Sequence, residues 1–224
     1  MMDRIPEPEL MDDEAQARAY AEADFSEPHS RFVDYFKLAF PHSPTDGTAV
    51  DLGCGPADVT ARFACAFPQL TIDGVDGAKA MLKYGQARLR KDGLTGRVRL
   101  VHQRLPGRAG LRAGYDIVIS NSLLHHLSDP LILWDTAKAL TRSGGCVFVM
   151  DLARPENRAR AEALVDQYAA GEPPVLQRDF LNSLLAAYEP EEVRAHIERA
   201  GLRGFTVKPA SDRHWIAYGW CSGL

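Results

Sequence analysis

Two aspartates and two glycines carry the clearest chemical signal in the chain. An apolar run ends at Leu52, contains Asp51, and is followed at once by Gly53 and Gly55. Glycines after a strand let the backbone turn sharply and pass close to a ligand. A second apolar run ends on Asp76, whose carboxylate can accept hydrogen bonds from both ribose hydroxyls of a nucleoside. The pattern predicts a nucleoside site at the carboxyl ends of two parallel strands.

Two phosphate-binding loops are excluded by the residues that follow. The dinucleotide fingerprint Gly-x-Gly-x-x-Gly needs its third glycine where Asp58 stands. A carboxylate there would repel a phosphate from a helix N-terminus. No Gly-Lys-Ser or Gly-Lys-Thr follows, which excludes the Walker loop. The ligand is therefore predicted to be a nucleoside without phosphate.

Three motifs, in this order, resemble those of class I S-adenosylmethionine-dependent methyltransferases. They are VDLGCGPAD at 50–58, GVDGAKAML at 74–82 and YDIVISNSLLHHL at 115–127. The resemblance runs from about residue 49 to residue 152 and is similar to small-molecule enzymes of the trans-aconitate and quinone-biosynthesis type. It implies S-adenosylmethionine as cofactor, with S-adenosylhomocysteine as product. It also implies an α/β, Rossmann-like fold: a seven-stranded, mostly parallel sheet with a C-terminal antiparallel hairpin, helices on both faces and an N-terminal helical lid.

The resemblance also assigns cofactor contacts. Asp51 is expected to orient the methionine end, and Asp76 to hold the ribose. Met81 is expected to pack on the adenine, although a core methionine is nearly as compatible with its position. Gln103 stands where the family commonly has an aspartate, and its side-chain carbonyl can accept from the adenine amino group. The expected contacts are Asp51, Gly53, Cys54, Gly55, Asp76, Gly77, Met81, Gln103, Arg104, Leu105, Asn121 and Ser122.

Three residues are candidates for catalysis: His125, His126 and Tyr20. His126 could act as a base because an unperturbed imidazole titrates near neutrality, whereas packing at a helix entry is the alternative. No metal is predicted, because adjacent histidines on a short turn should point apart and no third ligand is suitably spaced.

Further residues in the N-terminal helices and the C-terminal insert could close over the pocket, and an arginine among them could hold a substrate carboxylate. Each is also compatible with a surface or packing role. They are Phe25, His29, Arg154, Arg178, Asp179, Asn182, Tyr188, Arg213 and His214, together with Tyr20.

The predicted reaction is in-line transfer of a methyl group to a small-molecule acceptor, through oxygen, nitrogen, sulfur or carbon. Two alternatives stay open because they would use the same binding loop. One is a tRNA-modifying or modified-cofactor transferase, and the other is a non-catalytic protein that binds S-adenosylmethionine. A net charge of −4 disfavours a general nucleic-acid binder, so DNA is not expected, while tRNA is not excluded.

Length and composition indicate one domain over residues 1–224, with an N-terminal lid (1–47), a cofactor-binding core (48–152) and a lid insert with closing hairpin (153–224). The chain has no apolar run long enough to span a membrane, and its N-terminus lacks a signal-peptide core. Four scattered cysteines suggest neither zinc nor disulfides. A reduced, cytoplasmic monomer or homodimer is expected.

Alternating patterns predict the order of elements. Residues 1–11 are expected to be frayed and residues 171–190 to be less regular. Strands are predicted at 48–52, 70–75, 97–102, 115–120, 145–151, 205–209 and 215–220. Helices are predicted in two pieces over 12–40 and at 57–67, 78–91, 130–141, 155–170 and 191–200.

Overall fold

Seven strands form one sheet in the computed structural model, which describes residues 2–8 and 10–221. The strands are β1 Asp46–Leu52, β2 Gln69–Asp76, β3 Val98–His102, β4 Tyr115–Asn121, β5 Thr141–Leu152, β6 Thr206–Pro209 and β7 His214–Trp220. Their order is β3-β2-β1-β4-β5-β7-β6, with parallel pairing among β1 to β5 and antiparallel pairing of β7 to both β5 and β6. The predicted mostly parallel sheet with a C-terminal antiparallel pair is confirmed.

Eight α-helices surround the sheet within the described residues. They are α1 Glu14–Glu22, α2 Ser26–Ala39, α3 Asp58–Ala66, α4 Lys79–Lys91, α5 Leu131–Leu140, α6 Arg158–Ala169, α7 Pro174–Ala186 and α8 Pro190–Arg199, with a short 3₁₀ turn at Leu124–His126. Alternate β4 residues face opposite layers, because Ile117 and Ile119 pack with α2 and α3 while Val118 packs with α5 and α8. Across residues 2–8 and 10–221, no helix has both the length and the apolar character needed to cross a membrane.

Two segments differ from the sequence prediction. Residues 174–186 were expected to be irregular but form α7, which begins with a proline at its first turn and buries Leu176, Leu184 and Leu185. The predicted fraying near the N-terminus is also wrong for the residues described there, because the amide of Ile5 donates to the carbonyl of Leu185 at 2.9 Å. The N-terminal segment and α7 are thus held in place partly by contact with each other.

A cluster of aromatic rings fills the layer between α2, α3 and the sheet. Phe36 has no exposed surface, and its ring centroid lies 4.8 Å from that of Phe63, 5.5 Å from that of Phe67 and 5.7 Å from that of Phe148. All three contacts are edge-to-face, the arrangement that the charge distribution of aromatic rings favours. This cluster joins the N-terminal helix α2 to the core that carries the site.

Phe36→Ala should therefore destabilise the fold by about 3–5 kcal/mol, because it removes a fully buried ring and leaves a cavity. Leu38→Ala is the matched control, since Leu38 lies in the same helix but is 77% exposed, and its effect should stay within about 0.5 kcal/mol. Urea denaturation followed by circular dichroism measures both. Equal effects of the two substitutions would contradict this account of the core.

Candidate active site

A cavity of about 1000 Å³ opens at the carboxyl ends of β1, β2 and β4. The structure brings all fifteen of the predicted cofactor and catalytic residues to its wall. They are Tyr20, Asp51, Gly53, Cys54, Gly55, Asp76, Gly77, Met81, Gln103, Arg104, Leu105, Asn121, Ser122, His125 and His126. The N-terminal helices and α7 cover its other side, through residues that include Phe25, His29, Asp179 and Phe180.

The turn between β1 and α3 forms one wall of the cavity. The amides of Gly53 and Cys54 both donate to the carbonyl of Val75, at 2.8 and 3.0 Å, which ties the turn to β2. Gly55 has φ +51°, and a Cβ added there would meet no atom within 4 Å. The backbone is thus left open to a ligand. Ala57, at the position where the family often has a third glycine, also adopts the left-handed region, with φ +60°.

Asp76 is held rigidly at the end of β2. One carboxylate oxygen accepts from the amide of Gly55 and the other from the amide of Ala78, each at 2.8 Å. Burial raises the pKa of Asp76 above its usual range, although these two hydrogen bonds act in the opposite direction. Since a carboxylate has about four acceptor positions, Asp76 can still accept bonds from a diol.

Asp51 lies deeper, at 1% exposure, and its carboxylate accepts from the hydroxyl of Thr60 at 2.6 Å. Burial raises the pKa of Asp51 to about 7, and the nearby charge of Asp76 acts in the same direction. A cation beside this carboxylate would favour its ionised form. A positively charged ligand bound beside Asp51 would therefore lower the pKa of this carboxyl.

Residues expected at the adenine lie along the loop after β3. The amide of Gln103 donates to the carbonyl of Asp76 at 3.0 Å, and its side-chain amide donates to the carbonyl of Arg104 at 2.8 Å. The side chain therefore folds onto its own loop. Met81 is buried on α4, and Leu105 completes this part of the wall.

The end of β4 turns away from the sheet at Asn121 and Ser122. Ser122 adopts φ +54°, and its amide donates to the carbonyl of Met150 at 2.9 Å. This strained conformation ends the strand and leads the chain towards His125 and His126. The turn thus brings the end of β4 and the histidine pair to the same side of the cavity.

The two histidines lie close together, so the expectation that they point apart is wrong. Their ring centroids are 4.3 Å apart, because the 3₁₀ turn stacks neighbouring rings with a tilt of 36°. Asp151 binds Nδ1 of His125 and also accepts from the amides of Leu124 and Leu152, each at 2.7 Å.

The two imidazoles titrate differently. Burial by itself lowers the pKa of His125, but the carboxylates of Asp151 and Glu7 outweigh burial and raise it. Burial, together with the neighbouring His125, lowers the pKa of His126 to about 3. His126 is therefore neutral at physiological pH, and so low a pKa makes it a weak general base by itself.

The N-terminal helices present a second His–Asp pair. Nδ1 of His29 lies 2.6 Å from the carboxylate of Asp58, which also binds Arg62 at 2.8 Å and Arg88 at 2.9 Å. Although burial acts to raise it, these partners hold the pKa of Asp58 well below its usual range. Burial raises the pKa of Tyr20 to about 12, so its phenol stays neutral and can donate a hydrogen bond.

Not every predicted lid residue reaches the cavity. The side chain of Arg154 is only 6% exposed and forms ion pairs with Glu189 and Glu192 at 3.1 and 3.0 Å, so its role is structural. Arg178, Asn182 and Tyr188 are likewise not among the lining residues, whereas Asp179, Arg213 and His214 are. The hydrogen bond from Gln16 to Asp179, at 2.7 Å, joins α1 to α7 beside the cavity.

Sequence reasoning missed three acidic residues near the cavity: Glu7, Asp58 and Asp151. Asp58 was used only to exclude a phosphate loop, and Asp151 lies at the end of a strand, the position that had singled out Asp51 and Asp76. Glu7 stands between two prolines in the segment predicted to be frayed. No periodic pattern could have placed it beside the histidines.

Comparison with known proteins agrees with this geometry. A family model described as a methyltransferase domain matches residues 50–147. The chain is 33% identical over 138 residues to trans-aconitate 2-methyltransferase of Methylobacterium radiotolerans. The aligned region covers 58% of this chain and 50% of that relative. The chain thus spans about half the length of this relative.

Two further comparisons cover more of the chain. It is 34% identical over 171 residues to the ubiquinone biosynthesis O-methyltransferase of Bordetella pertussis, covering 73% of this chain and 67% of the relative. Its fold is similar to that of an O-methyltransferase family protein from Burkholderia thailandensis, with a TM-score of 0.71, 19% identity, and coverage of 94% of this chain and 61% of that one. The chain therefore belongs to the class I S-adenosylmethionine-dependent methyltransferases.

Proposed function

We propose that this protein transfers the methyl group of S-adenosylmethionine to a small organic acceptor inside the cavity. The observation that carries the proposal is the division of the cavity wall. The residues expected at the cofactor lie along the strand ends, while α1, α2 and α7 cover the opposite side. A volume of about 1000 Å³ is at the upper end of the range for ligand pockets, roughly 300–1,000 Å³. It leaves room for an acceptor beside the nucleoside.

The residues present fit the cofactor. Gly55 offers open backbone at the glycine turn, and Asp76 offers a fixed carboxylate to a ribose diol. Asp51 is a buried carboxylate and Asp76 a partly buried one, and both have raised pKa values. S-adenosylmethionine carries an ammonium and a sulfonium, and positive charge of this kind would relieve the cost of ionising the two carboxylates.

Catalysis by this chain is proposed to rest on orientation and on the exclusion of water. When bound, the cofactor supplies an electrophilic methyl group, so the protein needs no covalent intermediate. The glycine turn and Asp76 would hold the nucleoside, while α1 and α7, joined by Gln16 and Asp179, would cover the acceptor. The neutral phenol of Tyr20 would position the acceptor by a hydrogen bond.

We further propose oxygen as the accepting atom. Two of the similar proteins are named as O-methyltransferases, and the third is named for trans-aconitate. The cavity wall beyond the end of β4, the proposed acceptor side, carries two adjacent histidines that would orient a hydroxyl group by hydrogen bonding. A small acceptor with a hydroxyl or carboxylate group would fit this environment.

Asp76→Ala should abolish or strongly weaken cofactor binding. It removes hydrogen bonds to a charged acceptor, each worth about 1.5–3 kcal/mol, so affinity should fall roughly tenfold or more for each bond lost. Calorimetric titration with S-adenosylmethionine and S-adenosylhomocysteine measures the change. The matched control is Asp92→Ala, at the exposed C-terminal end of α4, which should bind as the wild type does.

Failure of the wild type to bind either compound would contradict the proposed function. Unchanged affinity in Asp76→Ala would contradict the assignment of the ribose contact. Thermal unfolding of each variant shows whether a loss of binding reflects a loss of fold.

Affinity for S-adenosylmethionine should also rise with pH between about pH 6 and about pH 8, because the cation favours ionised Asp51 and its pKa lies at about 7 in the free protein. Below that pKa the carboxyl must first release a proton, which opposes binding. Asp51→Asn has no proton to lose there, so its affinity should depend less on pH. Calorimetry in buffers of different ionisation enthalpy counts the protons released. Affinity that falls over this range would contradict the prediction.

A further inference from the structure

One carboxylate oxygen at the acceptor side is buried without a hydrogen-bond partner. It is Oε1 of Glu7, whose side chain is 9% exposed. It faces two imidazole nitrogens, Nε2 of His125 at 3.5 Å and Nδ1 of His126 at 3.3 Å. The three donor atoms all lie within 4.8 Å of one another. A buried acceptor without a hydrogen bond costs free energy of folding, so this arrangement calls for an explanation.

The distances between Glu7 and the two imidazoles fit two ligands of one metal ion better than a hydrogen bond. A charge-assisted N–H···O hydrogen bond brings its atoms to about 2.7–2.9 Å. Ligands about 2.0–2.1 Å from a tetrahedral Zn²⁺ ion lie about 3.3–3.4 Å apart. The observed 3.3 and 3.5 Å match the second case. Nδ1 of His126 also donates a hydrogen bond to the carbonyl of Pro8 at 3.4 Å, so its proton must move to Nε2 before Nδ1 can bind a metal ion.

The residues behind the cluster are those that orient metal ligands. Asp151 binds Nδ1 of His125, which places a proton on that nitrogen and leaves Nε2 as the ring atom that faces Glu7. A carboxylate behind a ligating histidine is the usual outer-shell arrangement.

We propose that Glu7, His125 and His126 bind a divalent transition-metal ion of the Zn²⁺ type at the acceptor side of the cavity. Two imidazoles and one carboxylate suit such an ion, and three protein ligands leave a coordination position open. Both histidines line the cavity and Glu7 does not, so the ion would lie at the edge of the cavity wall, and we propose that its open position faces the bound ligand.

The site would define the acceptor more closely, and this step rests on the proposed function. An oxygen atom of the acceptor would complete the coordination. The metal would lower the pKa of the acceptor hydroxyl, whose proton would pass to solvent water as the acceptor binds, and the remaining oxygen anion would take the methyl group. The substrate class would then be a small molecule with a hydroxyl or carboxylate oxygen that can bind a metal. His126, a weak base by itself, would act as a ligand and not as the proton acceptor.

The test is metal binding by the full chain, prepared without a histidine tag and stripped with a chelator. Co²⁺ is titrated as the probe, because its visible absorption reports nitrogen and oxygen ligands and their geometry, and Zn²⁺ is then added in competition. One Co²⁺ per chain should bind, and Zn²⁺ should displace it. Glu7→Gln and His126→Ala should each lose more affinity than the roughly 10–100-fold expected when an outer-shell partner is removed.

His42→Ala is the matched control, because His42 is exposed in the loop before β1, and it should bind Co²⁺ as the wild type does. Absence of stoichiometric binding by the wild type would overturn the proposal, as would equal binding by the wild type and both ligand variants. Titration of S-adenosylhomocysteine into the metal-free protein separates the two proposals. Cofactor binding without metal binding would leave the proposed function standing and remove this site.

Discussion

The reversal of strand order between the parallel strands β1 and β4 is the constraint on which the site depends. From β1 the chain builds outward through β2 and β3, then returns to place β4 on the other side of β1. β1 pairs with β2 over seven residues but with β4 over only three, from Ala49 to Asp51. Loops that leave neighbouring strands in opposite directions leave a crevice at the carboxyl edge of a parallel sheet. Asp51, Asp76 and Asn121 meet there because each stands at the end of a strand beside that crevice.

Burial of negative charge is the second theme of the cavity. Desolvation raises the pKa values of Asp51, Asp76 and Glu7, and the hydrogen bonds and nearby charges that favour their ionised forms offset it only in part. Asp58 shows the opposite case, because His29, Arg62 and Arg88 already compensate it and its pKa is held low. Carboxylates with raised pKa values thus occur at the strand ends and beside the histidines. Cations bound at these two places would complete the electrostatics of the cavity.

The parts of the fold that could be predicted are those that depend on sequence patterns within a short stretch of chain. The turn from Leu52 through Gly55 and the strand that ends on Asp76 lie within one strand–helix–strand unit, so spacing alone places them together. The side chain of Gln103 could not be placed in this way, since its hydrogen bond to Arg104 depends on the course of a loop. The histidine pair was misjudged because a 3₁₀ turn has its own side-chain directions, which brought the rings together. Glu7 lies more than a hundred residues from its partners, and no sequence period connects them.

The N-terminal segment forms hydrogen bonds at both ends of the cavity, near Asp76 and near the histidine pair. Asp12 accepts from the amide of Ala80 at 3.1 Å, near Asp76. Arg4 and Ile5 bind the end of α7, and Arg4 also binds the carbonyl of His125. Ordering a backbone costs about 1–2 kcal/mol per residue, so the segment stays in place only through such contacts. Glu7 lies within it and weakens it while Oε1 remains unsatisfied. An ion bound by Glu7 and the histidines would remove that cost, and the same event would fix the cover of the cavity and complete its acceptor side.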